Sequence, residues 1–326
     1  VSPLVHGAVY GAVIVTVLLT MVALAIWFER KFAGRMQSRL GPTIVGPVGL
    51  LQPFADVLKL LQKEDIIPDH ADHALFNAAP VLAVLFSLGA AAVVPFSPTT
   101  IAADLDVGVL YILAIGGLMV IPTFMAGWAS NNKFALLGGM RAVAQSVSYG
   151  VPLVLATLVP IVLAGTMSVS GIVGWQAQHH WFALWPVIPG LPAFFVFFLA
   201  MLAESNRIPF DIPEAESELV AGVTTEYTGA KFTLFYMGEY LHTLVGSAVA
   251  AALFFGGWDG PFAPGLPWMV GKTLALFVLV YWVRWSLLRF RADQLMELCW
   301  KRLTPLAVAL VLLAAAWTQF VPGGAQ

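Results

Sequence analysis

Charge is what this sequence has least of. Asp, Glu, Lys and Arg make up 10% of its 326 residues, and hydrophobic residues make up 60%. Soluble domains carry about 25% charged residues, so the composition points to a polytopic membrane protein. A net charge of −2 leaves no basic surplus for a nucleic-acid partner. The lone cysteine, Cys299, excludes a disulfide framework and any Cys-ligated iron–sulfur cluster built from this chain alone. No GxGxxG or P-loop stands between a strand and a helix, so no nucleotide site is expected. No pair of histidines sits inside the apolar runs as haem ligands would, and no Ser-His-Asp or metalloprotease pattern occurs. The adjacent His179 and His180 have poor geometry for holding one metal and read as surface histidines; no metal site is expected. Electron carriers for any nearby redox chemistry must therefore sit in another chain.

What is abundant is apolar sequence in long runs. A bilayer core needs about 20 apolar residues per helix. Eight runs qualify, at about 5–28, 74–95, 107–128, 142–165, 184–203, 234–258, 269–289 and 304–321. The first exceeds a signal-peptide core and has no basic segment before it, so it reads as a transmembrane helix. Every Lys and Arg except Lys272 falls in the odd-numbered connections or the adjoining helix ends. By the positive-inside rule those connections face the cytoplasm or matrix, and both termini face the outer side. No repeat or second domain is visible, which gives a single membrane domain over 1–326.

The first inner loop has its own pattern. Over 50–64, Leu50, Leu51, Phe54, Val57, Leu58 and Leu61 recur at helical spacing, opposite Gln52, Asp56, Lys59 and Lys63. An amphipathic helix at the membrane interface or under the bundle fits this spacing. The fold expected is thus all-α, with eight transmembrane helices and one interfacial helix.

The chain's chemistry is concentrated between 203 and 242. Seven of its eighteen acids lie there: Glu204, Asp211, Glu214, Glu216, Glu218, Glu226 and Glu239. Glu204 and Arg207 are spaced to pair on one helical face. Asp211, Pro213 and Glu214 resemble a helix start running to about Val220. An exposed acidic helix in the inner loop, 204–233, accounts for this pattern, and so does a set of carboxyls tuned to exchange protons. Glu239 favours the second reading. It lies one to two turns inside an apolar run, with His242 after it, and an ionisable group within a span is by default on a functional path. The seventh run ends in Arg284, Arg289, Arg291, Asp293 and Glu297, which form either a positive-inside anchor or a basic wall facing the acids.

Taken together these segments resemble one family: the quinone-site membrane subunit of respiratory complex I, known as the H subunit of bacterial NADH:quinone oxidoreductase, and its organellar counterparts. The residues carrying the likeness are Glu29-Arg30-Lys31, Gly49 to Asp56, Lys63-Glu64, Gly127 to Asn131, Arg141 to Gln145, Ala203 to Arg207, Pro209-Phe210-Asp211, Glu214 to Leu219, Glu226-Tyr227 and Phe290 to Leu295. They span nearly the whole chain.

The resemblance implies a chamber for a quinone substrate, lined by Glu29, Arg30, Arg39, Asp56, Phe235, Tyr236 and Met237, with Arg284 and Arg291 nearby. It implies a proton route through Asp211, Glu214, Glu216 and Glu218 past Glu204 and Glu239, with Glu226 among the acids. It also implies partners: peripheral-arm quinone-site subunits on the inner side and membrane-arm subunits laterally. Iron–sulfur clusters, flavin and NADH would belong to those subunits, and no cofactor to this chain alone. One position departs from the family pattern: Gly150 stands where a glutamate normally follows Ser148-Tyr149.

The function expected is a membrane subunit of a proton-pumping NADH:quinone oxidoreductase, in an energy-coupling membrane. A bacterial inner membrane is favoured over an organellar one. The alternative is the equivalent subunit of a membrane-bound hydrogenase or ferredoxin-dependent complex. A secondary transporter would show a topological repeat, and none is seen; a purely structural anchor would not need Glu204 or Glu239.

Overall fold

A computed structural model describes residues 3–98, 100–184, 189–262 and 265–320, without the side chains of 3–10, 216–217 and 320. Parts of the fifth and eighth expected spans, and the side chains of residues 5–10 in the first and of Glu216, lie outside the described residues.

The described residues are helical, with one isolated β-bridge between Ser97 and Thr100. In order they form α1 (Pro3–Met36), α2 (Gln52–Gln62), α3 (His73–Ala91), α4 (Gly108–Leu118), α5 (Val120–Ala129), α6 (Lys133–Ala164), α7 (Val169–Gln178), α8 (Gly190–Glu204), α9 (Glu216–Leu219), α10 (Gly229–Phe254), α11 (Leu266–Ser286), α12 (Ala292–Glu297) and α13 (Thr304–Phe320). Helices α4 and α5 run on through a break at Met119 to make one apolar rod over Gly108–Ala129. A π-helical segment, Leu298–Leu303, joins α12 to α13. There the Thr304 N–H bonds the Cys299 carbonyl, five residues back, and the Thr304 hydroxyl donates to the same carbonyl at 2.8 Å; Pro305, next in the chain, has no N–H to donate.

Six helices are long and apolar enough to cross a membrane among the described residues: Gly11–Met36, His73–Ala91, Gly108–Ala129, Lys133–Ala164, Leu266–Ser286 and Ala292–Gln319. The other two expected spans are α8, with 15 residues, and α10, with 26. At 1.5 Å per residue they are about 22 and 39 Å long. α10 carries Glu239 and His242 within its apolar length. The expected amphipathic helix is present as α2, with Phe54, Leu58 and Leu61 exposed on one face.

α10 is the axis of the bundle. From Leu241 to Val245 and from Ser247 to Phe254 every residue is buried. The alanines Ala250, Ala251 and Ala252 let neighbouring helices approach its backbone closely. Its N-terminal end is tied to the end of α2. Thr228 Oγ1 donates to the Glu64 carbonyl at 3.2 Å and accepts from Ile66 N at 3.3 Å, and Lys231 pairs with Asp65 at 2.8 Å.

The other end of α10 is closed by Lys272, the one basic residue outside the odd connections. Its ammonium donates to the carbonyls of Phe255, Gly257 and Asp259 at 2.6, 3.0 and 2.5 Å and lies 3.8 Å from the centre of the Trp181 ring. Helix ends leave carbonyls without partners, and here a single cation collects three. Replacing it by Met would strand them. We expect Lys272→Met to destabilise the chain by about 2 kcal/mol, read as a lower melting temperature in detergent.

Candidate functional site

A cavity of about 990 Å³ opens between α1, α2, the start of α10 and the end of α11. This is at the upper end of the range for small-molecule sites, about 300–1,000 Å³. Its walls are mostly apolar, from Leu19, Val22 and Ile26 to Phe232 and Trp285, and its polar groups include Arg30, Asp56, Asp211, Glu214, Arg284 and Arg289. Arg30 pairs with Asp56, which also accepts from Gln52 Nε2 at 3.0 Å, so α2 is locked across the chamber mouth against α1. Arg284 is held from behind by Glu29 at 2.7 Å, and Glu29 accepts from the Tyr240 hydroxyl.

The residues expected around the chamber divide by position. Arg30, Asp56, Tyr236, Met237 and Arg284 line it. Glu29 is buried behind the wall. Phe235 turns to the opposite side of α10, edge-on to Tyr227 at 4.9 Å. Arg39 is exposed and donates to Gln37 at 2.7 Å. Arg291 is also exposed, at the start of α12, 3.8 Å from Asp293. Tyr240 and Trp285 have sequence signals only in hindsight: Tyr240 repeats Tyr236 at i+4, and Trp285 follows Arg284.

The acidic segment is organised by Arg207, whose side chain is 3% exposed. It does not pair with Glu204. α8 ends at Glu204, and Asn206 then takes a left-handed φ of 50°, so the i, i+3 geometry is lost. Arg207 lies 4.3 Å over the Tyr240 ring instead, donates to Thr243 at 3.3 Å and approaches Glu239 at 4.0 Å. Gln145 of α6 fixes the turn, its amide donating to Ala203 O, Asn206 Oδ1 and Phe210 O at 2.6, 3.1 and 2.9 Å.

The helix expected from Asp211 to Val220 shrinks to one turn, Glu216–Leu219. It is bounded by left-handed φ values at Ala215 (24°) and Val220 (65°). The segment folds inward at Gly222, whose φ is 54°; a methyl there would overlap the Pro213 carbonyl. This packing sends Asp211 and Glu214 towards the chamber and leaves Glu218 outside.

Their electrostatics differ accordingly. Burial raises the Asp211 carboxyl above its ordinary range, against the pull of Arg284, Arg207 and Arg289. Burial, with the nearby charges of Glu239 and Asp211, raises Glu214 well above its ordinary value. The Glu214 and Glu239 carboxyls are hydrogen-bonded to each other. Glu218 is lowered by its hydrogen bond to Arg141 at 2.5 Å, with Arg289 at 3.0 Å assisting. Glu226 accepts from Asn132 at 2.6 Å and lines none of the cavities described here.

Two small cavities continue inward from the chamber. The first, about 40 Å³, shares Glu214 and Thr224 with the chamber and adds Tyr149, Glu204, Glu239 and His242. The second, about 30 Å³, shares Glu204 and His242 with the first. A water needs about 10–15 Å³ of such space, so each has room for at least two. Glu204 rests on α4 because Gly116 has no side chain: a methyl there would overlap Oε1. Gly150 lies on α6 between Tyr149 and Leu153, which line the two cavities, and a Cβ there would meet nothing within 4 Å.

Comparison with known proteins places the chain in a family. Residues 9–315 match the family model described as NADH dehydrogenase. The chain is 46% identical to the H subunit of the NADH-quinone oxidoreductase of Dehalococcoides mccartyi over 311 residues, covering 95% of this chain and 86% of that one. It is 45% identical to the H subunit from Brevibacillus brevis over 318 residues, covering 96% and 93%. It is also 45% identical to that of Burkholderia vietnamiensis over 327 residues, covering 97% and 92%.

Two outcomes follow from the geometry alone. Gly116→Ala should push the Glu204 carboxylate off its seat while costing only about 1 kcal/mol of stability, and a structure of the variant would show the displaced side chain. Glu214→Gln should change the dependence of stability on pH. A carboxyl whose pKa rises on folding contributes stability that is complete below its unfolded value, near 4.5, and is lost as pH rises. The variant should therefore gain on the wild type in thermal unfolding as pH rises above about 5, whereas Glu218→Gln, with the opposite shift, should fall behind the wild type as pH rises towards 4.5 and keep a constant deficit above it.

Proposed function

The chain belongs to the NADH dehydrogenase family, as an H subunit of the multi-subunit NADH-quinone oxidoreductase, and from that premise we propose that its large chamber receives the quinone and that the acids beside it begin a proton route. As a family member with several membrane-length apolar helices it is a multi-pass membrane component of that enzyme. The observation that carries the reading is the position of Glu214. It lines the quinone-sized chamber on one side and a buried cavity holding Glu239 and Glu204 on the other.

A large, mostly apolar cavity with few polar groups suits a lipid-soluble quinone, whose affinity comes mainly from burial of its tail. Arg30 and Arg284, each fixed by a carboxylate, are cations near which a reduced headgroup's negative charge is stabilised. Reduction to the quinol uses electrons from partner subunits and takes up protons nearby. Asp211 and Glu214 face that change. Glu214 holds its proton by burial and shares it with Glu239, so a charge shift in the chamber biases which carboxyl carries it. Glu239 and Glu204 line the same small cavity, which makes them successive carboxyls of the route. Glu218, held between Arg141 and Arg289, anchors the loop that presents Asp211 and Glu214.

The remaining architecture fits the same reading. We assign eight crossings, adding α8 and α10 to the six apolar rods, because both pack inside the bundle. The charged odd connections then face the inner side and both termini the outer side. Peripheral-arm subunits close the chamber over α2 and the 205–228 segment, and membrane-arm subunits and lipid cover the apolar flanks.

The test is made in the intact complex in proteoliposomes. Glu239→Gln and Glu214→Gln should each lower quinone-coupled proton translocation at least tenfold, a barrier change of about 1.4 kcal/mol. Pumping at the wild-type rate by both would overturn the proton route.

A further inference from the structure

The carboxylate route leaves two titratable groups on the small cavities unused, Tyr149 and His242, and of these His242 alone lines both. It is 6% exposed, in the middle of α10, the most buried helix. Glu204 is the other residue shared by the two cavities. The Nε2 of His242 lies 3.8 Å from Glu204 Oε2, and its Nδ1 has no hydrogen-bond partner among the described residues. An unpartnered ring nitrogen in a buried site is destabilising. That cost is unexplained by packing, since an apolar residue of similar volume would fill the same place. The other titratable groups facing these cavities are Tyr149 from α6, Glu204 from α8, Glu214 from the loop, and Glu239 one turn earlier on α10.

We propose that His242 is a relay residue that passes protons between the cavity of Glu239 and the Glu204 carboxylate. Imidazole is suited to this because it takes a proton at one nitrogen and releases one from the other. The step balances: Nδ1 accepts a proton from the Glu239 side, directly or through cavity water, and Nε2–H gives one to Glu204 Oε2. The ring is left as the other tautomer, with no net change of charge. The 3.8 Å separation closes by a small side-chain rotation or by one bridging water. Glu204, seated on Gly116, then carries the proton into the second cavity, towards Thr157.

The inference rests on the proton route proposed above, and its test separates the two. In the intact complex in proteoliposomes, His242→Asn keeps a polar group of similar size but cannot exchange a proton. Proton translocation per unit of quinone reduced is compared with that of Glu204→Gln and of His242→Glu. The expected result is a loss of at least tenfold in His242→Asn and Glu204→Gln, with substantial recovery in His242→Glu. Wild-type pumping by His242→Asn beside a blocked Glu204→Gln would overturn the relay and leave the carboxylate route standing. Wild-type pumping by both would overturn both. Equal loss in His242→Asn and His242→Glu, with melting temperatures lowered alike, would make the ring a packing element and overturn the relay. If His242→Asn does not assemble, His242→Gln gives the same comparison.

Discussion

A guanidinium buried in an apolar bundle must be surrounded by groups that replace water, and Arg207 imposes that requirement on everything near it. Its partners come from α10: the Tyr240 ring beneath it, the Thr243 hydroxyl and the Glu239 carboxylate. Removing the Glu239 carboxylate leaves the buried charge without its acidic partner, which costs several kcal/mol in a site of low dielectric. The segment after α8 is therefore pinned to α10 by its charge and by apolar contact. Phe210 packs against Phe290, and Pro209 accepts from Phe290 N at 2.8 Å, which binds the same segment to the end of α11.

That one anchor explains how acids can be held inside at all. Once Arg207 is in place, Asp211 and Glu214 are carried inward on a loop too short and too strained to form the helix its residues suggest. Their burial favours the protonated forms, and the surrounding arginines limit how far. Glu218, on the same loop but outside, is held ionised by two arginines. Within a few residues the fold thus produces carboxyls of opposite character, one kind suited to holding protons and the other to tethering. The larger chamber and the smaller cavities meet where the first kind sits.

Much of this was legible in the residues. Apolar runs and the periodicity of 50–64 pointed to a helical membrane bundle and to α2, and the density of acids in 203–242 marked the stretch that supplies most of the acids lining the cavities. Period and spacing were weaker guides where backbone geometry is irregular. Glu204 and Arg207 are spaced as a helical pair, yet the left-handed Asn206 turns one to His242 and the other to Glu239. Arg39 and Arg291 look like Arg30 and Arg284 in sequence, but they lie in exposed segments. Phe235 and Tyr236 are neighbours in the chain and face different cavities, because successive residues on a helix point about 100° apart.

Composition and order along the chain determined the solvent this protein folds in, the number of apolar segments and the stretch that carries its ionisable groups. These depend on transfer free energies and on periodicity, which are local properties. Which carboxyls are buried, which arginine each one meets, and that Glu214 and then Glu204 with His242 stand between successive cavities were decided only in the tertiary structure. Those outcomes come from side chains brought together from α4, α6, α8, α10 and the loop after α8, and a pairing between distant segments has no periodic trace in any one of them.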